Sequence, residues 1–381
     1  MGSLGVISMK KLFVGVFLFA VVLGAGVAAP SQIQTPPRAR FVQTVLANFS
    51  SWDLRGDGVL DEDVVTRLVQ NPEITGEAAA AVTAIKSALV ADGRDDFPPL
   101  THDYFASNDK TINGFVRFFK TGEKRILEAH DQPIFTNEGP TLSGCKQGAL
   151  GDCYLVAATG AVVARDPSAV MKLMTPSGDG YRLTYPDGYW VQVPALTQGE
   201  LALGGAGTEN GLWLRLLEKS WGVRLLTSSK RRDKAADPHD VISGGSGKYA
   251  LEAMTGFEAR QYHLLGSLKV PPISPVDDLR VAVANAMQTR HLAIAGTNRE
   301  IRIPGINRSH CYAVIGYDAT SDTVQLWNPH VNNFKPKGPD GPEFGYTTIE
   351  GRFSIPMVVF ENTFSGVAIE TDQPTSGIRH E

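Results

Sequence analysis

The amino-acid sequence predicts an α+β fold, and three features predict it. Apolar residues recur at three- and four-residue spacing from Phe41 to about Arg125, the period of helices with one buried face. A run of small apolar residues after Cys153, ended by Asp166-Pro167, reads as a buried helix. After the cluster Pro271, Pro272 and Pro275, β-branched and aromatic runs take over, as strands require. Helices gathered early and strands gathered late describe α+β rather than alternating βαβ units.

Residues 1–29 stand apart. Lys10 and Lys11 precede an unbroken apolar run from Leu12 to Ala29 that closes on small residues, the pattern of a secretory signal peptide. A secreted or periplasmic protein is therefore expected. The competing reading is an uncleaved membrane anchor, since eighteen apolar residues can just span a bilayer. Residues 30–40 are polar and rich in proline, and read as a linker.

Within 41–125, the segments FVQTVLANF, VVTRLV and EAAAAVTAIKSALV predict helices. Between the first two, WDLRGDGVLDEDV has the spacing of an EF-hand calcium loop. Asp53, Asp57, Gly58 and Asp61 fall at its first, fifth, sixth and ninth positions. Arg55 at the third position and Val64 at the twelfth break the ligand set, so a helix–turn–helix without the metal is expected. Strand and turn signals fill Tyr181 to Leu203, followed by an amphipathic helix in GLWLRLLEKSWG. Another helix in DDLRVAVANAMQ precedes strands in LAIAG, HCYAVIGYD, TVQLWNP and MVVFENTFSGVAIE. Residues 371–381 read as a polar tail.

The net charge of −4 leaves no basic surplus to neutralise phosphates, so nucleic acid is not an expected partner. The glycine-rich GGAGTENG lacks the Lys-Ser/Thr of a phosphate-binding loop, and no His/Cys pair has zinc spacing. Three cysteines are too few for a disulfide framework. Asn48-Phe49-Ser50 and Asn307-Arg308-Ser309 are glycosylation sequons; a glycan at the second would crowd His310, which favours a bacterial source.

Chemistry concentrates at Gln147-Gly148-Ala149-Leu150-Gly151-Asp152-Cys153. A cysteine opening a helix has its thiolate stabilised by the helix dipole and by free backbone N–H groups. Gln147 can donate its side-chain amide to the same point as the Cys153 N–H, making a two-donor oxyanion hole. Among the histidines, His310 opens a strong strand run. With a three-residue loop at Asp318-Ala319-Thr320, His310 lies directly opposite Asn328, close enough for Asn328 to orient the imidazole. An arbitrary cysteine or histidine is more often a packed residue. Here a glutamine, two glycines, a helix start and a matched asparagine meet around the pair.

These segments also resemble a known family. KQGALGDCYLVAA, LWLRLLEKSWG, SGGSGKYALEAMTG, SHCYAVIGYD, QLWNP and EGRFSIPMVVFENTF occur in the order found in calpain catalytic domains, over roughly Ile134 to Glu370. The resemblance implies a papain-like fold, with a helical Cys subdomain (134–268) facing a β-rich His/Asn subdomain (269–370). It implies peptide hydrolysis through a thioester acyl-enzyme, with Cys153, His310 and Asn328 catalytic and Gln147 in the oxyanion hole. Ser309, Gly244 and Gly245 would line the path of a protein or peptide substrate. A monomer is expected, with membrane contact only if the N-terminal segment stays uncleaved.

Several positions depart from the family pattern. Tyr154 replaces the tryptophan after the nucleophile, and Ser309 stands where a glycine precedes the histidine. His330 replaces the tryptophan that shields the His–Asn bond, which implies a weaker shield. Glu218 matches a calcium ligand of the family, but its acidic partner is here Gly144. No cofactor is therefore expected, and calcium is not expected to be required. Ser309 and His330 favour the alternative of an inactive calpain-like binding or assembly module, and the loop at Asp53 that of a calcium-responsive structural protein. Cys145 and Cys311 are expected to be small packed residues, with Cys311 facing the core of its own sheet.

Overall fold

The computed structural model describes residues 35–91, 97–207, 209–228, 238–264 and 275–376. The expected signal segment lies outside them. Among the described residues no helix is long and apolar enough to cross a membrane.

Five helices come first: α1 (Pro37–Trp52), α2 (Glu62–Val69), α3 (Gly76–Ala91), α4 (His102–Ala106) and α5 (Ile112–Ala129). The first opens at Pro37, inside the stretch read as a linker, because a proline is tolerated in the first turn, where its missing N–H would be unpaired anyway. Asp61 caps α2 by accepting from the Val64 N–H. Phe41 on α1 stacks on Phe115 of α5 at 5.7 Å and meets Phe119 edge-on at 5.6 Å. Burying rings of this size contributes about 1.5–3 kcal/mol each.

The loop between α1 and α2 is held by its own chain. Asp53 accepts from the N–H groups of Gly56, Asp57 and Gly58, at 2.8, 3.2 and 2.9 Å. The Arg55 guanidinium is ion-paired with Asp61 and with Asp63. The carboxylates that a calcium ion would need are thus committed to backbone amides and to an internal cation. The turn is kept by donors that do not fit a bound metal.

The middle of the chain holds α6 (Cys153–Arg165), α7 (Pro167–Lys172) and a three-stranded antiparallel sheet, β1 (Met174–Ser177), β2 (Gly180–Thr184) and β3 (Trp190–Pro194). Then follow α8 (Gln198–Leu203), α9 (Trp213–Ser228), α10 (Pro238–Val241) and α11 (Gly247–Thr255). α8 is a helix where strand signals were read. A reciprocal capping box between Thr197 and Glu200 nucleates it, a signal that local pattern outweighed. The helices before and after residue 134 bury their apolar faces in one continuous core.

A six-stranded antiparallel sheet completes the fold, in the order β4-β9-β5-β6-β7-β8. Its members are β4 (Phe257–His263), β5 (Ala293–Thr297), β6 (Cys311–Asp318), β7 (Thr323–Trp327), β8 (Arg352–Pro356) and β9 (Phe364–Pro374); α12 (Val276–Thr289) and α13 (Met357–Thr363) intervene. β4 joins this sheet although it precedes residue 269. MVVFENT is helical rather than extended: Pro356 leads in, and Met357 and Phe360 bury one helical face. The arrangement is the α+β, papain-like one, a helical half facing a β-rich half.

The sheet has two buried faces. Tyr312, Val314, Val324 and Leu326 face the sheet's own core with α12 and α13. Cys311, Ala313, Ile294 and Trp327 belong to the other face, in the core shared with α6. α6 is buried from Tyr154 to Val163. At Gly160 the Trp327 ring occupies the space that any β-carbon would need, so the helix and sheet approach closely there.

Candidate active site

The helix-to-sheet packing brings the first residue of α6 to the start of β6. Cys153 opens α6, and the loop before it turns at Gly151, whose φ is +69°. The Asp152 side chain makes no cap, so the exposed amides of the first turn look to another residue. The end of the Gln147 side chain lies 3.2 Å from the Cys153 N and 3.3 Å from the Asp152 N, and with Oε1 turned toward them it accepts from both. Gln147 is itself fixed across the two halves, its N–H donating to Pro329 O at 2.9 Å.

His310 immediately precedes β6, and its backbone is clamped by Thr297. The His310 N–H donates to Thr297 Oγ1 at 3.0 Å, and the Thr297 N–H donates to His310 O at 2.8 Å. The Nε2 of His310 bonds to Asn328 Oδ1 at 2.8 Å in a buried setting, which leaves the other ring nitrogen for Cys153. The side chains of Cys311 and His310 both hydrogen-bond the Cys153 sulfur. The Cys311 thiol contributes most, and with the His310 contact it outweighs burial, holding the Cys153 thiol down to about 4. Cys153 is therefore a thiolate at neutral pH.

The pairing that delivers Asn328 differs from the one expected. The turn is a four-residue loop, with Asp318 opposite Thr323, and the register shifts between Val314 and Gly316. Beyond that bulge Ala313 pairs with Trp327, which puts His310 in line with His330 rather than Asn328. The loop alone would turn Asn328 to the wrong face. The extra residue in the bulge restores the alternation, so Asn328 reaches His310 diagonally.

Two asparagines with no signal in the sequence hold Asn328. Its Nδ2 donates to Asn307 Oδ1 and to Asn332 Oδ1, each at 2.9 Å. The His330 N–H donates to Asn328 Oδ1 at 3.0 Å. Asn307, met in the sequence only as a sequon, is an internal acceptor in this network. His330 lies flat on His310, with ring centroids 4.4 Å apart and planes 18° from parallel. Burial first, then the neighbouring His310, lowers its pKa to about 4, so a neutral ring covers the His310 imidazole. The position of the family's tryptophan thus still carries a ring over the histidine.

The remaining expected residues border the cleft. Ser309 is exposed in the left-handed region at φ +47°, where glycine would be less strained, and its N–H donates to Asn298 O at 3.0 Å. Gly244 and Gly245 are exposed. Gly244 adopts φ +67°, and its N–H donates to Gly151 O at 3.1 Å, which ties this loop to the turn before Cys153. A β-carbon at Gly245 would strike the Tyr154 ring, whose hydroxyl accepts from Trp221 Nε1 at 3.0 Å. A cavity of about 230 Å³ opens beside Cys311, lined also by Gly247, Lys248, Ile294 and Ser365.

Cys311 is the residue that sequence misplaced. Strand alternation does turn it away from the face of Tyr312, but that other face looks onto α6 and the cavity, not into the sheet's own core. Cys145 is buried as expected, its Sγ donating to Val156 O at 3.7 Å.

Beneath Cys153 lies a buried acidic pair. Burial raises the Asp152 carboxyl to about 6, and burial followed by the Asp152 charge pushes Glu218 well up. Glu218 accepts from the Gly205 N–H at 2.7 Å, while both Asp152 oxygens and Glu218 Oε1 are buried without a hydrogen-bond partner among the described residues. A side chain at Gly144 would collide with the Asn210 carboxamide oxygen. The space of a second acidic ligand is therefore filled by a neutral one. Among the described residues no group of three or more His, Cys, Asp or Glu is placed to hold a metal.

A family model of calpain family cysteine proteases matches residues 96–339. The chain is 25% identical over 272 residues to the calpain-1 catalytic subunit of Rattus norvegicus, covering 65% of this chain and 34% of that one. It is 28% identical over 155 residues to the human calpain-1 catalytic subunit, covering 37% and 20%. Against the calpain-2 catalytic subunit of Bos taurus it is 26% identical over 224 residues, covering 53% and 29%. The chain thus spans about a third or less of the length of these relatives. The matched stretch makes up more than half of the chain and contains Cys153, His310 and Asn328, and the chain belongs to the calpain family of cysteine proteases.

Proposed function

We propose that this chain is a cysteine endopeptidase that cleaves peptide bonds through a thioester acyl-enzyme. The observation that carries the reading is the hydrogen-bonded line from the Cys153 thiolate through His310 to Asn328 at the N-terminus of a buried helix. The thiolate attacks the scissile carbonyl, and His310 passes its proton to the departing amine. A water then enters, His310 takes its proton, and the thioester is hydrolysed. Asn328 keeps the ring turned with one nitrogen toward the sulfur.

The oxyanion of each tetrahedral intermediate falls between the Cys153 N–H and the Gln147 amide. In the resting site Gln147 satisfies the helix amides through Oε1. For the reaction its Nε2 turns inward, so that two donors converge on the developing charge. Gln147→Ala is expected to lower kcat by about 10²-fold with a smaller change in KM, as steady-state kinetics on a fluorogenic peptide would record. An unchanged kcat would remove Gln147 from the oxyanion hole. Ser309, Gly244 and Gly245 are the exposed backbone along which an extended substrate would lie, and the cavity beside Cys311 has room for one of its side chains.

Calcium is not needed for this chemistry. The Asp53 loop spends its carboxylates on backbone amides and Arg55, and Asn210 fills the space beside Gly144. Cleavage of an unfolded protein substrate is expected to proceed at equal rates in EGTA and in millimolar calcium. A rate lost to the chelator and restored by calcium but not by magnesium would overturn this.

A further inference from the structure

Hydrolysis assigns no role to Cys311, yet it follows His310 at the start of β6, which packs on α6, and its thiol interacts with that of Cys153. The two sulfurs come from different halves of the fold, one at the start of α6 and the other at the start of β6, and both are free. The close approach of α6 to the sheet at Gly160 and Trp327 holds these elements together. Cys153 is itself partly exposed and Cys311 lines the 230 Å³ cavity, so a small solute can reach each thiol. Cys145, wholly buried, is outside this arrangement.

We propose that Cys153 and Cys311 form a peroxide-reactive dithiol, in which hydrogen peroxide oxidises Cys153 and Cys311 closes a reversible disulfide between the two halves of the fold. The Cys153 thiolate attacks one peroxide oxygen and the O–O bond breaks. The departing hydroxide takes the proton of the His310 imidazolium and leaves as water, with Cys153 as a sulfenic acid. The Cys311 thiol then gives its proton to His310, and its sulfur attacks the Cys153 sulfur. The S–O bond breaks, and hydroxide leaves as a second water with that proton. Two thiols and one peroxide become one disulfide and two waters, and an external thiol reverses the step.

Chemical reasons favour this course over simple over-oxidation. A low-pKa, accessible thiolate is the form that peroxide attacks. The hydrogen bond to Cys153, followed by burial and the Cys153 charge, holds the Cys311 thiol well up, so it stays a thiol until the sulfenic acid forms beside it. A sulfenic acid with a thiol in contact is trapped as a disulfide before further oxygens can add. The disulfide would occupy the nucleophile and stop hydrolysis without destroying the site.

The proposal rests on the reading of Cys153 as a reactive thiolate, and its test is read by mass rather than by turnover. The full chain is treated with hydrogen peroxide, alkylated, digested and mapped. The expected product has lost two hydrogens, yields a peptide linking Cys153 to Cys311, and regains both thiols with dithiothreitol. In Cys311→Ser the same treatment should leave Cys153 with two or three added oxygens that dithiothreitol does not remove. Wild-type chain that gains oxygens at Cys153 with no linked peptide would overturn the dithiol, whether or not the variant folds. A peptidase assay on the untreated, reduced chain, and again after peroxide and dithiothreitol, separates the two readings. A linked peptide in a chain that cuts nothing supports the dithiol and removes the hydrolytic role; peptide cleavage without the link does the reverse.

Discussion

Replacing Cys153 with alanine is expected to lower peptide hydrolysis by about 10⁴-fold or more while the protein stays folded. The sulfur is the only group at the start of α6 that can form the thioester. Deleting it leaves His310 with nothing to activate, since the line of hydrogen bonds ends at that atom. What remains is the oxyanion hole and substrate binding, which cannot supply a covalent route. The fold should tolerate the change because Cys153 is only half buried and alanine is the best helix former. Peptide turnover and a thermal unfolding curve on the same preparation would check both halves. A variant that retains turnover would remove Cys153 as the nucleophile.

Asn328→Ala is expected to cost on the order of 10²-fold in kcat, with KM little changed. Asn328 accepts from His310 and is itself held by Asn307 and Asn332, so its loss frees the imidazole to rotate. A ring that samples several orientations presents the correct nitrogen to the sulfur for only part of the time. A substrate is not expected to touch this side chain, which is buried behind a His310 ring that is itself covered by His330. Asn307→Ala should move kcat in the same direction by less, because Asn332 still accepts from Asn328. A change confined to KM would mean that Asn328 contacts substrate instead.

The parts of this site that were legible in the sequence are those written in local pattern. A helix start behind a glycine-bearing loop marks Cys153, and a β-branched run marks the strand after His310. The Asn328 contact was also anticipated, but through a register that the chain does not use. Loop length and bulge position depend on packing against α6 and on the left-handed residues at the turn, such as Asp322 at φ +49°, and these are tertiary choices. The same holds for α8 and α13, where capping and burial of one face outweighed strand-forming composition. Asn307 and Asn332 were not legible as site residues, because their role comes from loops of the same half folding back onto Asn328, and Cys311 was not, because its role appears only where the two halves of the fold meet.

The central claim, that Cys153 is a thiolate poised as the nucleophile, is tested most directly by reacting the full chain with a peptidyl thiol-reactive electrophile. The reaction is followed as a function of pH, and the modified cysteine is mapped. Predicted is modification of Cys153 ahead of Cys145 and Cys311, at a rate that stays flat from neutral pH downward and falls only as pH approaches about 4. Burial pushes the Cys145 thiol up, and contact with Cys153 together with burial does so for Cys311, so neither should react below neutral pH. Equal modification of all three cysteines, or a rate that rises only above neutral pH, would contradict the account.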